Sequence, residues 1–540
     1  MVACGCAAGD AAGLACAAST ATWMASIISF VSLTGRMRIA LGARDVGYWR
    51  LPSVSSAWPT LFCEVAALLD RNCIFRLSAV SLTMFEGWSP PEPMTSDSEV
   101  ICEAWASSVW PQARDIASYQ LLLSPVDAPG RTDAVPTLLR PTKLEVEQAL
   151  GNVDTYIDGI GKLFAKYDIQ GAQPALDALA KQLKEYEAWA RATVLPQARA
   201  DATLPPELYA FQLEQFGIDI DPQLLIDRAQ VEFMETRAAM TQLAPLVAKA
   251  KGLEGIDDGD YIAVIRALKQ DTIPNDQLEA RYRTVIDAID PIIRRQGIVD
   301  VPKRPMVMRL GTEAESAASP APHFLPAPLV GNTGQQGQFV LPVSVPNPDG
   351  SSLEYDDFNF ESAAWTLSAH EGRPGHELQF TAMVERGISL ARTLFAFNSV
   401  NVEGWALYAE AEMLPYEPLD GQMIALQLRL LRGARAVLDP MLNLGLIDRE
   451  SARRVLEEEV GVSPAMAKQE LDRYMFNAPG QAGSYFYGYS RILQLRMDTE
   501  LALGAKFDRL AFNNFLLDQG LLPPDLLAKA VEEEFIPAHE

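Results

Sequence analysis

Cysteine is absent from most of this chain. All six cysteines lie within the first 102 of its 540 residues, and no two of them form a CxxC pair. Zinc sites built from cysteines usually use that spacing, so we do not expect a cysteine zinc site. Because the remainder of the chain has no cysteine, its fold does not depend on disulfide bonds.

Two widespread catalytic motifs and an excess of basic residues are also missing. The sequence has no glycine-rich phosphate loop and no G-x-S-x-G element, which disfavours nucleotide-binding proteins and serine hydrolases. The chain has 45 lysines and arginines against 70 aspartates and glutamates, and its formal net charge is −25. Nucleic acids and anionic membranes attract basic surfaces, so we expect neither as a partner.

The first hundred residues differ in composition from the rest. They contain no lysine, which first occurs at Lys143, and they show no sustained helical period. We predict that residues 1–100 are a poorly ordered or non-homologous extension. The uncharged stretch 11–35 is long enough to cross a bilayer, but no basic residue precedes it as in a signal peptide. We therefore expect a cytoplasmic protein, or a periplasmic or envelope protein if this stretch acts as a signal or anchor.

Residues 101–540 are predicted to form one mainly α domain. Thr142 and Glu145 have the spacing of a helix capping box. Apolar residues then recur at three- and four-residue steps along most of the chain, which is typical of helices that bury one face. No internal repeat of fixed period is evident, so a solenoid is not expected.

One segment breaks the helical pattern. Residues 303–350 are rich in proline, glycine, asparagine and glutamine, and they contain one predicted strand, residues 337–345. The proline within that strand is typical of a sheet edge. An edge strand can pair with an extended substrate backbone, so Gly337 and Phe339 are candidate substrate-binding residues.

Histidine is scarce as well. The chain has four, and two of them, His370 and His376, lie in the stretch SAHEGRPGHELQF, with Glu371 directly after the first. In the H-E-x-x-H motif of zinc proteases, the second histidine lies four residues after the first. Here the second histidine comes six residues later, across Pro374 and Gly375.

The spacing of six has two interpretations. On a straight helix, residues six apart lie about 120° from one another around the axis, so two such histidines cannot share a metal. Proline disfavours a regular helix here, and glycine permits the unusual backbone angles of a bulge. If two residues loop out, His376 returns to the face of His370. The alternative is an ordinary surface turn that contains two histidines.

A catalytic zinc site commonly has three protein ligands and one open position. The predicted helix 401–413 supplies two candidates for the third ligand, Glu403 and, seven residues later on the same face, Glu410. We expect one zinc ion per chain on His370, His376 and Glu403. Glu410 is either the ligand in place of Glu403 or a residue that orients a histidine.

Longer motifs carry a resemblance to a known family. HEGRPGHELQ, VEGWALYAE, RYMFNAPGQAGSYFYG, RILQLR and FDRLAFNNFLLDQGLLPPDLLAKAV occur in this order. As a set they resemble the bacterial domain-of-unknown-function 885 family over most of the chain after residue 140. That family is similar to the helical gluzincin metallopeptidases of the thimet oligopeptidase and carboxypeptidase Taq type. The resemblance implies a mainly α, zincin-like fold with a substrate channel and a small β element.

The resemblance also implies roles for individual residues. It supports the zinc ligands named above, makes Glu371 the general base, and places a tyrosine donor for the oxyanion in the segment 478–490. Tyr485 and Tyr487 are both candidates, and the family pattern P-G-Q-A-x-x-Y favours Tyr485. Arg491 is a candidate for binding a substrate carboxylate, although an ion pair at a helix surface is the preferred explanation. The catalytic motifs thus span residues 337–540.

We therefore predict a zinc-dependent hydrolase that cleaves a peptide or related amide bond. Three departures from the family pattern affect this prediction, because Glu377, Asn443 and Asn513 stand where histidines are common. If any of those histidines assists catalysis, this protein is slower, altered in substrate or inactive. Two alternatives are thus a zinc enzyme that acts on a non-peptide amide or ester, and a binding protein that kept the fold without the chemistry.

Overall fold

The structure is a computed structural model, and parts of the chain fall outside the described residues. The described residues are 36–41, 44–50, 139–166, 169–312, 315–316, 319, 321–343 and 356–540. They belong to two compact units, residues 1–201 and residues 202–540. Most of the predicted extension, including the uncharged stretch 11–35, lies outside the described residues.

The first unit contains a strand pair and a group of helices. Strands β1 (Arg36–Leu41) and β2 (Arg44–Arg50) pair antiparallel. The helices that follow are α1 (Lys143–Gly151), α2 (Val153–Lys166) and α3 (Gln173–Trp189). Thr142 caps α1, since its side chain accepts a hydrogen bond of 3.1 Å from the Glu145 amide. The predicted helix start is therefore confirmed.

The second unit is mainly helical, as the sequence predicts. Its first four helices precede the sheet: α4 (Pro206–Gln215), α5 (Pro222–Lys251), α6 (Tyr261–Leu268) and α7 (Asn275–Gln296). The others follow it: α8 (Ala363–Leu367), α9 (His376–Arg386), α10 (Leu390–Phe395), α11 (Ser399–Met413), α12 (Leu419–Asn443), α13 (Arg449–Arg454), α14 (Pro464–Asp472), α15 (Ser484–Leu503), α16 (Arg509–Asp518), α17 (Pro524–Ala530) and α18 (Ile536–His539). Among the described residues, no helix has both the length and the apolar character needed to cross a bilayer.

Two long helix pairs form the centre of this unit. Helix α12 packs along α5, and α11 packs along α15. The second pair meets at Gly404 and Gly488, where a Cβ atom added to Gly404 would lie 2.5 Å from the carbonyl carbon of Gly488. Only glycine allows helix backbones to approach this closely. Because Gly404 follows Glu403 directly, this contact also sets the position of a candidate zinc ligand.

A small sheet precedes the histidines, as predicted. Its strands are β3 (Val307–Leu310), β4 (His323–Leu325) and β5 (Gln338–Leu341), in the order β3-β5-β4. The prediction of an edge strand is wrong, because β5 is central and pairs parallel with β3 and antiparallel with β4. Its backbone groups are therefore already paired on both sides and are not available to a substrate strand.

Candidate functional site

The backbone between the two histidines leaves the helix and then returns to it. Helix α8 ends in a π-helical turn at Ser368–Gly372, and α9 begins at His376. The Gly375 amide donates a hydrogen bond of 2.8 Å to the Ala369 carbonyl, and a Cβ atom at Gly375 would lie 1.9 Å from the His370 carbonyl oxygen. Glycine is therefore required at this position.

This bulge brings the two histidines together. The ring centroids of His370 and His376 lie 4.8 Å apart, and the rings are nearly perpendicular, at 82°. Helix α11 supports the bulge, because the indole nitrogen of Trp405 donates a hydrogen bond of 3.0 Å to the Pro374 carbonyl. Because the backbone between them bulges, two histidines that are six residues apart in the sequence place their imidazole rings next to each other.

One glutamate of α11 faces both imidazoles. Oε2 of Glu403 lies 3.4 Å from Nε2 of His376 and 3.7 Å from Nε2 of His370. Zinc–nitrogen and zinc–oxygen bonds of about 2.0–2.1 Å give tetrahedral edges of about 3.3–3.4 Å, so both distances are close to those of a shared zinc ion. Oε2 of Glu403 is also buried and has no hydrogen-bond partner among the described residues.

The other glutamate of α11 contacts the opposite nitrogen of His370. Oε1 of Glu410 lies 2.5 Å from Nδ1 of His370, and the same carboxylate accepts hydrogen bonds from Thr366 at 3.1 Å and from Arg432 at 3.2 Å. A proton on Nδ1 leaves Nε2 with a free lone pair. Glu410 thus has the position of a residue that orients a metal ligand rather than that of a ligand. His376 differs, since its Nδ1 has no hydrogen-bond partner among the described residues.

Glu371 lies at the same cluster. Its Oε1 is 3.9 Å from Nε2 of His370, and the ligand atoms of His370, Glu371 and His376 all lie within 4.8 Å of one another. This spacing alone would also allow Glu371 to be the third ligand. The contacts of Glu403 to both imidazoles are shorter than that of Glu371 to His370, which favours Glu403 as the candidate ligand.

The charges of the cluster favour a cation among the carboxylates. Burial by itself would lower the pKa of His370, but the neighbouring carboxylates of Glu403 and Glu410 outweigh burial and raise that pKa to about 9. Burial also disfavours ionised Glu403, but the two imidazoles beside it hold its pKa well below the usual range. The same carboxylates that stabilise a proton on His370 would stabilise a metal ion in its place.

Tyr485 and Tyr487 point to different surroundings. The Tyr485 ring lies nearly parallel to the His370 ring, at 14° and with centroids 6.4 Å apart. The Tyr487 hydroxyl instead donates a hydrogen bond to Asp219 and accepts one of 2.9 Å from Arg491. The structure therefore brings Tyr485, but not Tyr487, to the histidines.

Arg491 and the β5 residues also lie in other surroundings. Nη2 of Arg491 lies 2.6 Å from Oδ1 of Asp525, which is the ion pair expected as its alternative role. The Phe339 side chain is fully buried and packs beneath Gly372, and Gly337 packs against the Phe324 ring. Of these three residues, only Phe339 lies against the turn that carries the histidines, while Arg491 and Gly337 contact other residues.

The three positions that depart from the family pattern have partners outside the cluster. Glu377 accepts hydrogen bonds from Arg373 at 2.6 Å and from Thr381 at 2.9 Å. The Asn443 amide donates hydrogen bonds to the carbonyls of Asp439 and Tyr474. The Asn513 amide donates one to the Ile298 carbonyl. All three side chains are buried and contribute to packing around the site.

Sequence reasoning missed a group of arginines around Tyr485. The guanidinium carbons of Arg435, Arg473 and Arg432 lie 4.6, 5.4 and 5.8 Å from the centre of the Tyr485 ring. A signal was present, because Arg432 and Arg435 are spaced by three residues on helix α12, where most of the residues are apolar. Arginines on a buried helix face require charged or polar partners nearby.

Comparison with known proteins agrees with this fold. A structure from Shewanella oneidensis, described as "a putative lipoprotein of unknown function", is 19% identical with a TM-score of 0.63 and covers 98% of this chain and 100% of its own. A "putative lipoprotein" from Colwellia psychrerythraea is 20% identical with a TM-score of 0.61 and covers 74% of this chain and 71% of its own. At such identities the likeness shows the fold alone.

The sequence itself shows the family. No match is found among curated proteins. Residues 130–531 match the family described as "Bacterial protein of unknown function (DUF885)", and the match covers well over half of the chain. The resemblance to this family is therefore confirmed, and the chain is a member of the bacterial DUF885 proteins.

Proposed function

We propose that this protein is a zinc-dependent hydrolase of peptide or related amide bonds, with one zinc ion bound by His370, His376 and Glu403. The main support for the proposal is the position of the buried Oε2 of Glu403, which lies 3.4 Å from Nε2 of His376 and 3.7 Å from Nε2 of His370. Two histidines and one glutamate are a known ligand set of catalytic zinc. The orphaned Oε2 of Glu403 supports it, because a buried carboxylate oxygen without a partner is costly unless a cation fills the place.

A zinc ion in this position would polarise a substrate carbonyl and lower the pKa of water toward about 7. The residues of the chain supply the remaining steps. Glu371 takes a proton from the attacking water and transfers it to the nitrogen of the leaving amine as the carbon–nitrogen bond breaks. Glu410 holds His370 in the tautomer with a proton on Nδ1.

Tyr485 is the proposed donor to the oxyanion that forms during hydrolysis. Its hydroxyl accepts a hydrogen bond of 3.2 Å from Arg473, so its own O–H group remains available to donate. The surrounding guanidinium groups favour negative charge nearby. We prefer Tyr485 to Tyr487, whose O–H group is already donated to Asp219.

The likeness of the motifs to gluzincin metallopeptidases supports the same reaction class. In this proposal, the bulged turn that contains His370 and Glu371 takes the role of the uninterrupted helix in the H-E-x-x-H motif. Strand β5 is central in its sheet and cannot pair with a substrate backbone. The substrate must therefore be aligned by other parts of the site.

The test combines metal analysis with a search for the substrate. Purified protein is expected to contain one zinc per chain, and His370→Ala and His376→Ala are each expected to lose it. A peptide library analysed by mass spectrometry then identifies cleaved bonds, and small amides and esters form a second panel. If only the small amides and esters are cleaved, the proposed substrate class is wrong. If both histidine variants retain one zinc per chain, the proposed metal site is excluded.

The variant Glu371→Gln tests whether Glu371 acts as a general base or as a zinc ligand. The variant is expected to keep its zinc and to lose about a thousandfold in turnover, within the range for loss of a general base. Wild-type turnover in this variant would exclude the proposed role. A wild-type protein that binds zinc but cleaves no member of either panel would favour a binding protein with the same fold.

A further inference from the structure

The arginines around Tyr485 differ in how their charges are balanced. Arg435 forms two hydrogen bonds with Glu470, at 2.8 and 2.6 Å. Arg432 contacts Glu410 at 3.2 Å, and its guanidinium is buried. Each of these two arginines therefore has a carboxylate as its close partner, which is the usual arrangement for a buried guanidinium.

Among the described residues, Arg473 has no carboxylate closer than 3.5 Å. It follows α14, and its Nη2 donates hydrogen bonds to two neutral acceptors, the side-chain oxygen of Gln481 and the Tyr485 hydroxyl. Its nearest carboxylate oxygen belongs to Glu470 at 3.5 Å. That oxygen already accepts from Arg435 at 2.6 Å, so one carboxylate is shared by two guanidinium groups.

Arg473 is also accessible and close to the candidate metal ligands. Its side chain is 22% exposed, whereas those of Arg435 and Glu470 are 9% and 5% exposed. The Tyr485 ring lies 6.4 Å from the His370 ring and 5.4 Å from the Arg473 guanidinium, and these distances sum to about 12 Å as an upper limit on the separation. At about 3.3–3.6 Å per residue, three to four residues of extended peptide span such a distance.

We propose that Arg473, held by Gln481 and Tyr485, binds a carboxylate group of the substrate. The inference rests on the proposed hydrolase and names its substrate class: peptides or amides that carry a carboxylate near the cleaved bond. A guanidinium presents its N–H groups in a planar fork that matches a carboxylate. The formal net charge of −25 repels anions in general, so a local positive charge is needed to bind one.

Arg491 provides a matched control. Its side chain is 23% exposed, and like Arg473 it donates a hydrogen bond to a tyrosine hydroxyl, that of Tyr487 at 2.9 Å. It differs in having its own carboxylate, Asp525, at 2.6 Å. Substitution of Arg491 thus removes the same charge and a similar hydrogen bond without affecting the proposed subsite.

The experiment uses the zinc-loaded protein and one library of acetylated tripeptides in two forms, with a free C-terminal carboxylate and with a carboxamide. We expect wild-type protein to favour peptides with a carboxylate through KM. Arg473→Gln should reduce that preference about ten- to hundredfold, as for the loss of a hydrogen bond to a charged group. Cleavage of neutral carboxamide peptides should fall by a smaller factor that is the same for all of them, because Arg473 also holds the Tyr485 hydroxyl. Arg491→Gln should resemble wild type on both forms.

The two forms distinguish the source of the carboxylate. Preference for the free-acid form identifies the C-terminal group, while preference for aspartate or glutamate among the carboxamides identifies a side chain. Equal cleavage of acidic and neutral peptides by wild type would overturn the inference, as would a preference that Arg473→Gln retains. Arg473→Gln and the charge-preserving Arg473→Lys could instead both lose cleavage rate by the same factor on all peptides. That result would show that Arg473 only positions Tyr485.

A binding measurement keeps this inference separate from the proposed function. Calorimetric titration of Glu371→Gln protein with the same two peptide forms requires no turnover. Tighter binding of the carboxylate form, lost when Arg473→Gln is added, supports the subsite even if wild type cleaves no peptide. Equal binding of both forms overturns the subsite even if hydrolysis is confirmed.

Discussion

Glu403 and Glu410 lie on the same helix, seven residues apart, yet they contact opposite nitrogens of one imidazole. Glu403 faces Nε2 of His370 and of His376, and its oxygen has no other partner among the described residues. Glu410 contacts Nδ1 of His370 and also accepts from Thr366 and Arg432. The same side chain on the same helix face is thus placed to bind a metal in one case and to orient a ligand in the other.

The start of α15 shows a similar division. Tyr485 and Tyr487 are separated by one residue, but only Tyr485 lies against His370, while Tyr487 contacts Asp219. In both pairs, the partners that come from other segments of the chain distinguish the two residues. Substitution of each member of a pair therefore tests the comparison directly.

The largest difference is expected between the two glutamates in metal content. Glu403→Gln removes a charged ligand, and we expect the variant to lose its zinc and all measurable hydrolysis. Elemental analysis after dialysis against buffer without metal measures this. One zinc per chain retained in Glu403→Gln, together with loss in Glu410→Gln, would reverse the two roles.

Tyr485→Phe is expected to lower the catalytic rate about a hundredfold with little change in KM, because a hydrogen bond to the oxyanion forms mainly in the transition state. Tyr487→Phe is the control and should retain nearly the full rate. Steady-state kinetics on an identified substrate, with melting temperatures of both variants, measure the effect. An equal loss of rate in both variants would assign the whole segment 478–490 to packing.

Glu410→Gln is expected to weaken zinc binding about ten- to hundredfold without abolishing it, as for other residues that orient metal ligands. Competition with a chelator of known zinc affinity measures the change. Thr366→Val should weaken zinc binding by a smaller factor, since it removes only one of the hydrogen bonds that hold the Glu410 carboxylate. Unchanged zinc affinity in Glu410→Gln would show that His370 needs no partner at Nδ1.

The smallest expected effect is a dependence of stability on pH in the metal-free protein. The pKa of His370 is raised to about 9, from an unfolded value of about 6.5, so its protonation stabilises the fold fully below pH 6.5. That contribution is lost as the pH rises through 9. The free energy of unfolding should therefore fall over this range, and fall less in Glu410→Gln, which lacks one of the carboxylates that raise the pKa.

Denaturant unfolding of both metal-free proteins at several pH values measures this difference. Groups whose pKa does not depend on Glu410, such as Asp439 with its pKa raised to about 7, are present in both proteins and cancel in the comparison. Identical pH dependence in the two proteins would show that Glu410 does not stabilise charged His370. Bound zinc should remove the dependence on His370, because a metal ligand cannot hold a proton at the same nitrogen.

Local sequence patterns were sufficient for much of the fold. Periodic apolar residues predicted the mainly α architecture, and the capping box predicted the start of α1. The interruption at residues 303–350 predicted a β element, but a proline wrongly placed β5 at the edge. Pro342 follows the last paired residue, Leu341, so it removes no hydrogen bond of the central strand.

The sequence by itself determined which groups are available at the site. If His370 and His376, six residues apart with Gly375 between them, share one site, the backbone between them has to leave the helix, because residues six apart on a straight helix lie on different faces. Spacing along one helix also gave two candidates on that helix for a third ligand, Glu403 and Glu410. Such conclusions follow from the geometry of a single helix and need no knowledge of its neighbours.

Tertiary structure decided which of these groups face one another. The contact of Gly404 with Gly488 sets how α11 lies against α15, and the approach of α12 brings Arg432 to Glu410. The arginines around Tyr485 come from α12 and from the turn after α14, so their common position is not visible in either segment alone. The role of a charged side chain depends on the charges across the packing interface, and contacts between distant segments exist only in the folded chain.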